Sequence, residues 1–210
     1  MATGKKAVLS EEDRERIRQA VHAAEQQTMA EIVPMIVARS GLYRDTQHWA
    51  GLLTALATLA LLLTLEVSWL PWGWHAANAA WLVLAVTLAY VCGGWVGRMP
   101  AVIRMLTSRT RMKQKVALRA ERAFAQHAVS QTRERTGVLL MLSILERQVY
   151  VLPDHSLAKL VPAARWSQVV QAAVEHLRRG DTAGGLSQAI HACGVVLTEA
   201  CPARPGENPN

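Results

Sequence analysis

WAGLLTALATLALLLTLEVSWLPWGWHAANAAWLVLAVTLAYVCGGWVG, Trp49 to Gly97, is the stretch whose reading sets the architecture of the chain. Its first arm, Trp49 to Leu70, holds 22 residues. At about 1.5 Å of helical rise each, such an arm spans roughly 33 Å, enough for a hydrocarbon core of about 30 Å. Its only ionisable group is Glu66, close to the end of the arm. The second arm, Ala77 to Gly97, has no charged side chain, so a helix there leaves no ion in lipid. Between them Pro71 and Gly73 stop the helix and allow a turn. Trp69, Trp72 and Trp74 beside the turn, and Trp49 and Trp95 at the opposite ends, suit the headgroup level on the two sides. Each arm is apolar around its whole circumference, which a soluble chain of this size could hardly cover. A hairpin of two transmembrane helices is predicted, and its place well inside the chain is not that of a cleaved signal peptide.

Basic residues orient the hairpin. The turn has no Lys or Arg, whereas Arg39 and Arg44 precede the first arm and Arg98, Arg104, Arg109, Arg111, Lys113, Lys115, Arg119 and Arg122 follow the second. The positive-inside rule places the turn outside and both flanking segments in the cytoplasm. The excess of 23 Lys and Arg over 16 Asp and Glu is therefore largely juxtamembrane. Anionic lipid headgroups are its expected partner, and nucleic acid is not. Cys92, Cys193 and Cys201 form no CxxC and no metal-type spacing, which fits a reducing compartment. Glu66 has no second intramembrane charge to relay a proton to, so its side chain is read as reaching back to the interface. Gly93 and Gly97 make a GxxxG suited to packing the two arms, or two protomers in a homo-oligomer.

Outward from the hairpin, LSEEDRERIRQAVHAAEQQT opens with Ser10 and Asp13 as a capping box, with Glu11 and Glu12 at the positive end of the helix dipole. Ile17, Val21, Ala24 and Thr28 make its buried stripe. EIVPMIVARSG follows as a strand, with Pro34 marking an edge or a bulge. One helix and one strand cannot bury an apolar face, so their partners must lie beyond the hairpin. The hairpin is thus expected to interrupt a single domain.

Beyond Pro100 the chain is helical in propensity as far as Thr132, with Val116, Ala120, Phe124 and Ala128 on one stripe. Gly137 to Leu145 reads as a strand covered on both faces, Glu146 and Arg147 as a polar break, and Gln148 to Leu152 as the returning strand of a hairpin. A helical turn around Leu157 to Leu160 and two amphipathic helices, WSQVVQAAVEHLRRG and about Gly184 to Ala200, complete the domain. The predicted class is α/β: a small mixed sheet flanked by helices, an α/β/α sandwich, interrupted by the transmembrane hairpin. Residues 1–45 and 100–203 make its two parts, 46–99 the hairpin with arms of about 49–70 and 77–97, and 204–210 a flexible tail.

These segments resemble the TPM-domain family, named for thylakoid-lumen and related proteins and often labelled as phosphatases. The resemblance lies in LSEEDRERIRQAVHAAEQQTMAEIVPMIVARSG, RTGVLLMLSILERQVYVLPD, WSQVVQAAVEHLRRG and GLSQAIHACGVVL. It is similar to the bacterial membrane branch, where a transmembrane hairpin interrupts the domain. The resemblance implies a central sheet between helices and, in some members, metal binding or acid phosphatase activity. Asp154 stands where such branches carry an acidic residue, while His155, Ser156 and Leu157 replace the expected Arg-Gly-Ile. The fuller acidic pattern of the lumenal members is absent.

A metal-dependent phosphatase needs clustered carboxylates to hold a cation and orient water. Asp154 and Glu31, both at strand ends, are the candidate catalytic and metal-binding pair, for Ca²⁺, Mg²⁺ or Mn²⁺, with His155 beside them. The competing assignment makes Asp154 a turn cap and Glu31 a solvated side chain. No zinc motif, P-loop or GxSxG elbow is present. His22, His127, His176 and His191 stand singly in helices, and Trp166 reads as a core anchor. The sequence favours a non-catalytic inner-membrane protein that needs no cofactor and whose cytoplasmic domain binds a protein partner or organises an envelope complex. The alternative is a membrane-tethered metal-dependent phosphatase.

Overall fold

The computed structural model describes residues 9–69, 76–126 and 136–203. Pro71, Trp72, Gly73 and Trp74 of the predicted turn, His127, Ala128 and the tail from 204 lie outside the described residues, as do the side chains of Glu66 and Trp69. The elements in chain order are α1 (Glu11–Glu25), β1 (Glu31–Val37), α2 (Arg44–Trp69), α3 (Ala76–Val96), α4 (Pro100–Leu106), α5 (Arg109–Gln126), β2 (Gly137–Ser143), β3 (Gln148–Pro153), α6 (His155–Leu160), α7 (Ala163–Arg178) and α8 (Thr182–Ala200). They form two compact units: Met1–Gly41 with Lys113–Asn210, and Leu42–Met112.

The first unit is built on a three-stranded mixed sheet in the order β1-β2-β3. β1 pairs parallel with β2, Glu31 opposite Gly137, and β2 pairs antiparallel with β3, Val138 opposite Pro153. The central strand thus lies between one strand from before the hairpin and one from after it. β2 is buried along its whole length, which accounts for a sequence of Val, Leu and Met without alternation. Pro34 sits on an edge strand, and the register runs through it to Leu140 without a bulge. The Ile32 amide is taken by the Glu25 carboxylate at 2.9 Å, so even-numbered residues of β1 turn their amides away from β2. The donor that proline lacks falls on this outer side, where no ladder bond is lost.

Helices cover both faces. On one, Ile32, Val138, Leu140 and Leu142 pack with Ile17 and Ala24 of α1, Val169 and Ala173 of α7, and Leu186 and Ile190 of α8. On the other, Val37, Leu139 and Met141 meet Val116, Ala120 and Ala123 of α5. This is an α/β/α sandwich, and Trp166 is one of its core anchors. The capping box forms, with Asp13 N–H donating to Ser10 Oγ at 3.0 Å and Ser10 N–H to Asp13 Oδ2 at 3.1 Å. Gly180, at φ +84°, stops α7 in a conformation that costs other residues a steric penalty. The end of α8 is tied back by Thr28, whose hydroxyl donates to the Cys201 carbonyl at 2.7 Å.

Several boundaries differ from the sequence reading. The helical stretch after Pro100 breaks at Thr107, which is extended, and the Ser108 hydroxyl accepts the Arg111 amide at 3.3 Å to start α5. The strand read as Gly137 to Leu145 ends at Ser143; Ile144 and Leu145 belong to the turn, their amides donating to the Val37 and Ala38 carbonyls at 3.0 Å. An apolar run reports burial, and a tight turn can be buried as well as a strand.

In the second unit α2 and α3 pack as an antiparallel pair. α2 begins at Arg44, five residues before Trp49, because the polar residues ahead of the apolar arm continue the helix. Added Cβ atoms show how closely the backbones approach: one at Gly93 would lie 2.9 Å from the Ala50 carbonyl, one at Gly97 2.9 Å from the Gln47 Cα, and one at Gly51 2.8 Å from the Tyr90 carbonyl. The Gly93 and Gly97 faces are therefore filled by α2 of the same chain. The Thr54 hydroxyl lies within 3.0 Å of the Ala50, Gly51 and Ala89 carbonyls, reaching from α2 to α3, and His48 Nδ1 lies 2.9 Å from the Tyr90 hydroxyl.

Candidate functional site

The parallel pairing of β1 with β2, and the return of β3, bring Glu31, Gly137 and Asp154 to one end of the sheet. Gly137 is the hub: it pairs with Glu31 on one side, and its carbonyl accepts the Asp154 amide at 2.8 Å on the other. Two strand spacings separate the flanking residues, about 10 Å between backbones. The structure thus brings Asp154 and Glu31 to one end of the sheet with Gly137 between them.

Asp154 caps α6. Its Oδ1 accepts the His155 amide at 2.6 Å, and its carbonyl accepts the Ala158 amide at 2.9 Å. The residue is only 7% exposed, yet Oδ2 is buried with no hydrogen-bond partner. His155-Ser156-Leu157 does not open a glycine-type loop; it enters the helix at once, driven by Leu157, which is wholly buried in the core. His155 and Glu31 are exposed. Next to Glu31, burial holds the Glu25 carboxyl above its ordinary range; the Ile32 amide opposes the shift and the Glu31 charge adds to it.

A divalent cation would find here one buried carboxylate oxygen and one exposed glutamate. Ca²⁺ takes six to eight oxygens and Mg²⁺ a near-ideal octahedron. Among the described residues no three His, Cys, Asp or Glu side chains form a group able to hold a metal ion. The donor set does not fit a dedicated cation site, and no hydrolytic step is derived through one.

A second polar cluster lies at the other end of the sheet, and the sequence reading had passed over it as a polar break. Glu146 and Ser143 are buried at the β2–β3 turn. Glu146 Oε1 accepts the Ser40 amide at 3.0 Å, Oε2 accepts the Ser143 hydroxyl, and Ser40 Oγ donates to Ser143 Oγ at 2.8 Å. Arg147, at φ +50°, lets the turn close tightly enough to aim Glu146 inward. The network fastens the chain at the point where it leaves the first unit. A Ser three residues past β1 and another at the end of β2, with a Glu three residues after the second, was the available signal; only the β1–β2 register shows that they meet.

The remaining sequence candidates have ordinary partners. His22 pairs with Gln26 at 3.1 Å, His176 Nδ1 lies 3.2 Å from Asp181 Oδ2, and His191 is exposed. The Asp181 carboxyl is held below its usual range by the Gly184 amide and by His176. Burial pushes the Cys193 thiol up to about 12, which makes it inert at neutral pH.

Residues 100–196 match the model of the TPM domain family. The chain is similar in fold to the NMR structure of the BA42 protein from the psychrophilic bacterium Bizionia argentinensis, with a TM-score of 0.57 and 14% sequence identity over 97% of this chain and 90% of that one. None of the curated proteins matches the chain. At that identity the likeness carries the fold alone.

Proposed function

We propose, from the premise that residues 100–196 form a TPM domain, that this chain is an integral protein of the bacterial inner membrane. In this reading α2 and α3 span the bilayer, both flanking segments lie in the cytoplasm, and the sandwich serves as a non-catalytic module that binds a protein partner or organises an envelope complex. The observation that carries it is the outer surface of the helix pair. Leu52, Leu53 and Leu56 of α2 and Trp81, Leu88 and Trp95 of α3 are exposed, the two tryptophans at 71% and 70%. Monomers in water rarely expose apolar patches beyond a few hundred Å². Helices of 26 and 21 residues span roughly 39 and 32 Å, long enough for the hydrocarbon core.

Cysteine accessibility tests the topology. In a background without Cys92, Cys193 and Cys201, Gly73→Cys labels with an impermeant maleimide in spheroplasts, and Ser167→Cys labels only after permeabilisation. The reverse pattern refutes the orientation, and release of the chain by alkaline carbonate refutes the spanning helices. Crosslinking from the sandwich in cells then tests the partner role.

The unpartnered Oδ2 of Asp154 is the one observation behind a second reading, a membrane-tethered metal-dependent phosphatase using Asp154 and Glu31, and the small donor set weighs against it. Its requirement is turnover of a phosphate ester with Mg²⁺, Mn²⁺ or Ca²⁺ that is lost in Asp154→Ala.

A further inference from the structure

The chain leaves α3 through a tight turn, with the Gly97, Arg98 and Met99 amides donating back to the Gly93, Trp95 and Val96 carbonyls at 2.8, 3.1 and 2.9 Å. It then forms α4, which returns toward the start of α2. Buried Thr46 and Thr107 meet there, their hydroxyls 3.2 Å apart, and Arg111 forms an ion pair with Asp45 at 2.6 Å. α4 is thus fixed as a short ledge across the end of the helix pair, with Ile103 turned inward and buried.

The outward side of the ledge combines two kinds of surface. Met105 is 87% exposed, and Met99 and Leu106 are exposed beside it. Arg98, Arg104 and Arg109 neighbour them in sequence, Arg98 and Arg109 exposed and Arg104 half-buried, and none forms an ion pair among the described residues. Residues 42–112 carry five arginines and two carboxylates, Asp45 and Glu66. Asp45 is committed to Arg111, and Glu66 lies 22 residues along α2 from Arg44, roughly 33 Å away. The ledge end is therefore strongly positive. Apolar side chains interleaved with arginines at the end of a spanning hairpin match the boundary between acyl chains and phosphates, where guanidinium binds phosphate oxygens in a bidentate fork.

We propose that this ledge binds the headgroup of an anionic phospholipid, with Arg98, Arg104 and Arg109 on the phosphate and Met99, Met105 and Leu106 against the acyl chains. The proposal rests on the membrane-spanning reading of α2 and α3 and adds to it a ligand and a site. The test uses the full chain in neutral detergent, with bound lipid counted by native mass spectrometry during titration with phosphatidylglycerol or phosphatidylcholine. Phosphatidylglycerol is expected to bind at least tenfold more tightly, and the triple variant Arg98→Gln/Arg104→Gln/Arg109→Gln to lose the preference. Met105→Glu, which puts a carboxylate on the ledge and leaves the arginines in place, is expected to lose it as well. Arg14→Gln/Arg16→Gln/Arg18→Gln on exposed α1 keeps it. Equal binding of the two lipids, or a preference that survives both ledge variants, overturns the site. A chain that resists carbonate extraction and shows no preference sinks this proposal alone; a chain that carbonate releases sinks the spanning reading with it.

Discussion

The amide of Ser40 donates to Oε1 of Glu146 at 3.0 Å, joining residues 106 positions apart. The same carboxylate accepts the Ser143 hydroxyl, so one side chain satisfies a donor from the segment after β1 and one from the end of β2. Hydrogen bonds to a charged acceptor contribute roughly 1.5–3 kcal/mol each, and a buried donor left alone adds its own desolvation cost. Glu146→Ala is therefore expected to lower stability by about 3–4 kcal/mol, and Glu146→Gln, which retains one acceptor, by about half of that. Thermal and urea unfolding of the full chain measure both. A loss below about 1 kcal/mol in the alanine variant would show that the cluster does not hold β1 to the turn.

The approach of α3 to α2 predicts a graded glycine series. A Cβ at Gly93 falls against Thr54 and the Ala50 carbonyl, and one at Gly97 meets the Gln47 backbone, whereas one at Gly94 has only the Gln47 carbonyl at an ordinary 3.6 Å. Gly93→Ala and Gly97→Ala are expected to destabilise the detergent-solubilised chain. Gly94→Ala is expected to be neutral or to gain up to about 1 kcal/mol from helix propensity. Melting curves of the three variants decide it, and equal behaviour would refute close packing through Gly93 and Gly97.

How much of this was legible in the sequence varies with the range of the interaction. The Ser10–Asp13 box, the Gly180 stop and the stripe of Val116 and Ala120 are local or periodic, and they read directly. Pro34 announced an edge strand or a bulge, and the continuous register through it shows which. The Ser40–Ser143–Glu146 cluster was invisible because each residue alone resembles a turn residue, and only register brings them together. Asp154 and Glu31 read from the sequence as strand-end residues, and the register sets them on either side of Gly137. The spacing that the intervening β2 strand sets between their backbones is a property of strand order and cannot be read from either residue. Thr107 hid the break between α4 and α5 because propensity is nearly continuous across it, although Ser108 carried the cap.

Glu25 gives a pH dependence of definite sign. Burial raises its carboxyl above the ordinary 4.5, the Ile32 amide opposes this and Glu31 adds to it. The folded chain therefore keeps a proton that the unfolded chain has released. Stability falls as pH rises from about 4.5 through the folded value. Glu25→Gln keeps an acceptor for the Ile32 amide and removes the titration, so its stability curve should be flatter in that window and no lower than wild type at pH 7. Asp181 has the opposite sign: its lowered carboxyl contributes stability above 3.8 that is lost as pH falls through the folded value. Unfolding of wild type and Glu25→Gln followed from pH 3 to 7 separates the two groups: the loss on the way up from 4.5 is smaller in the variant, and the loss on the way down through the folded Asp181 value is shared.

Asp154 separates a structural from a catalytic account of the sheet end. Its Oδ1 caps α6, and Oδ2 is buried without a partner. If the side chain is only a cap, Asp154→Asn keeps the acceptor and stays within about 1 kcal/mol of wild type, while Asp154→Ala loses about 1–2 kcal/mol. Ca²⁺, Mg²⁺ and Mn²⁺ should then leave the melting temperature of the wild type unchanged, since a ligand that binds only the folded state would raise it. A rise with any of these ions that disappears in Asp154→Asn, accompanied by phosphate-ester turnover, would replace the interaction role with metal-dependent hydrolysis. The orphaned oxygen makes the comparison informative, because asparagine preserves the cap geometry and changes only the atom that a cation would need.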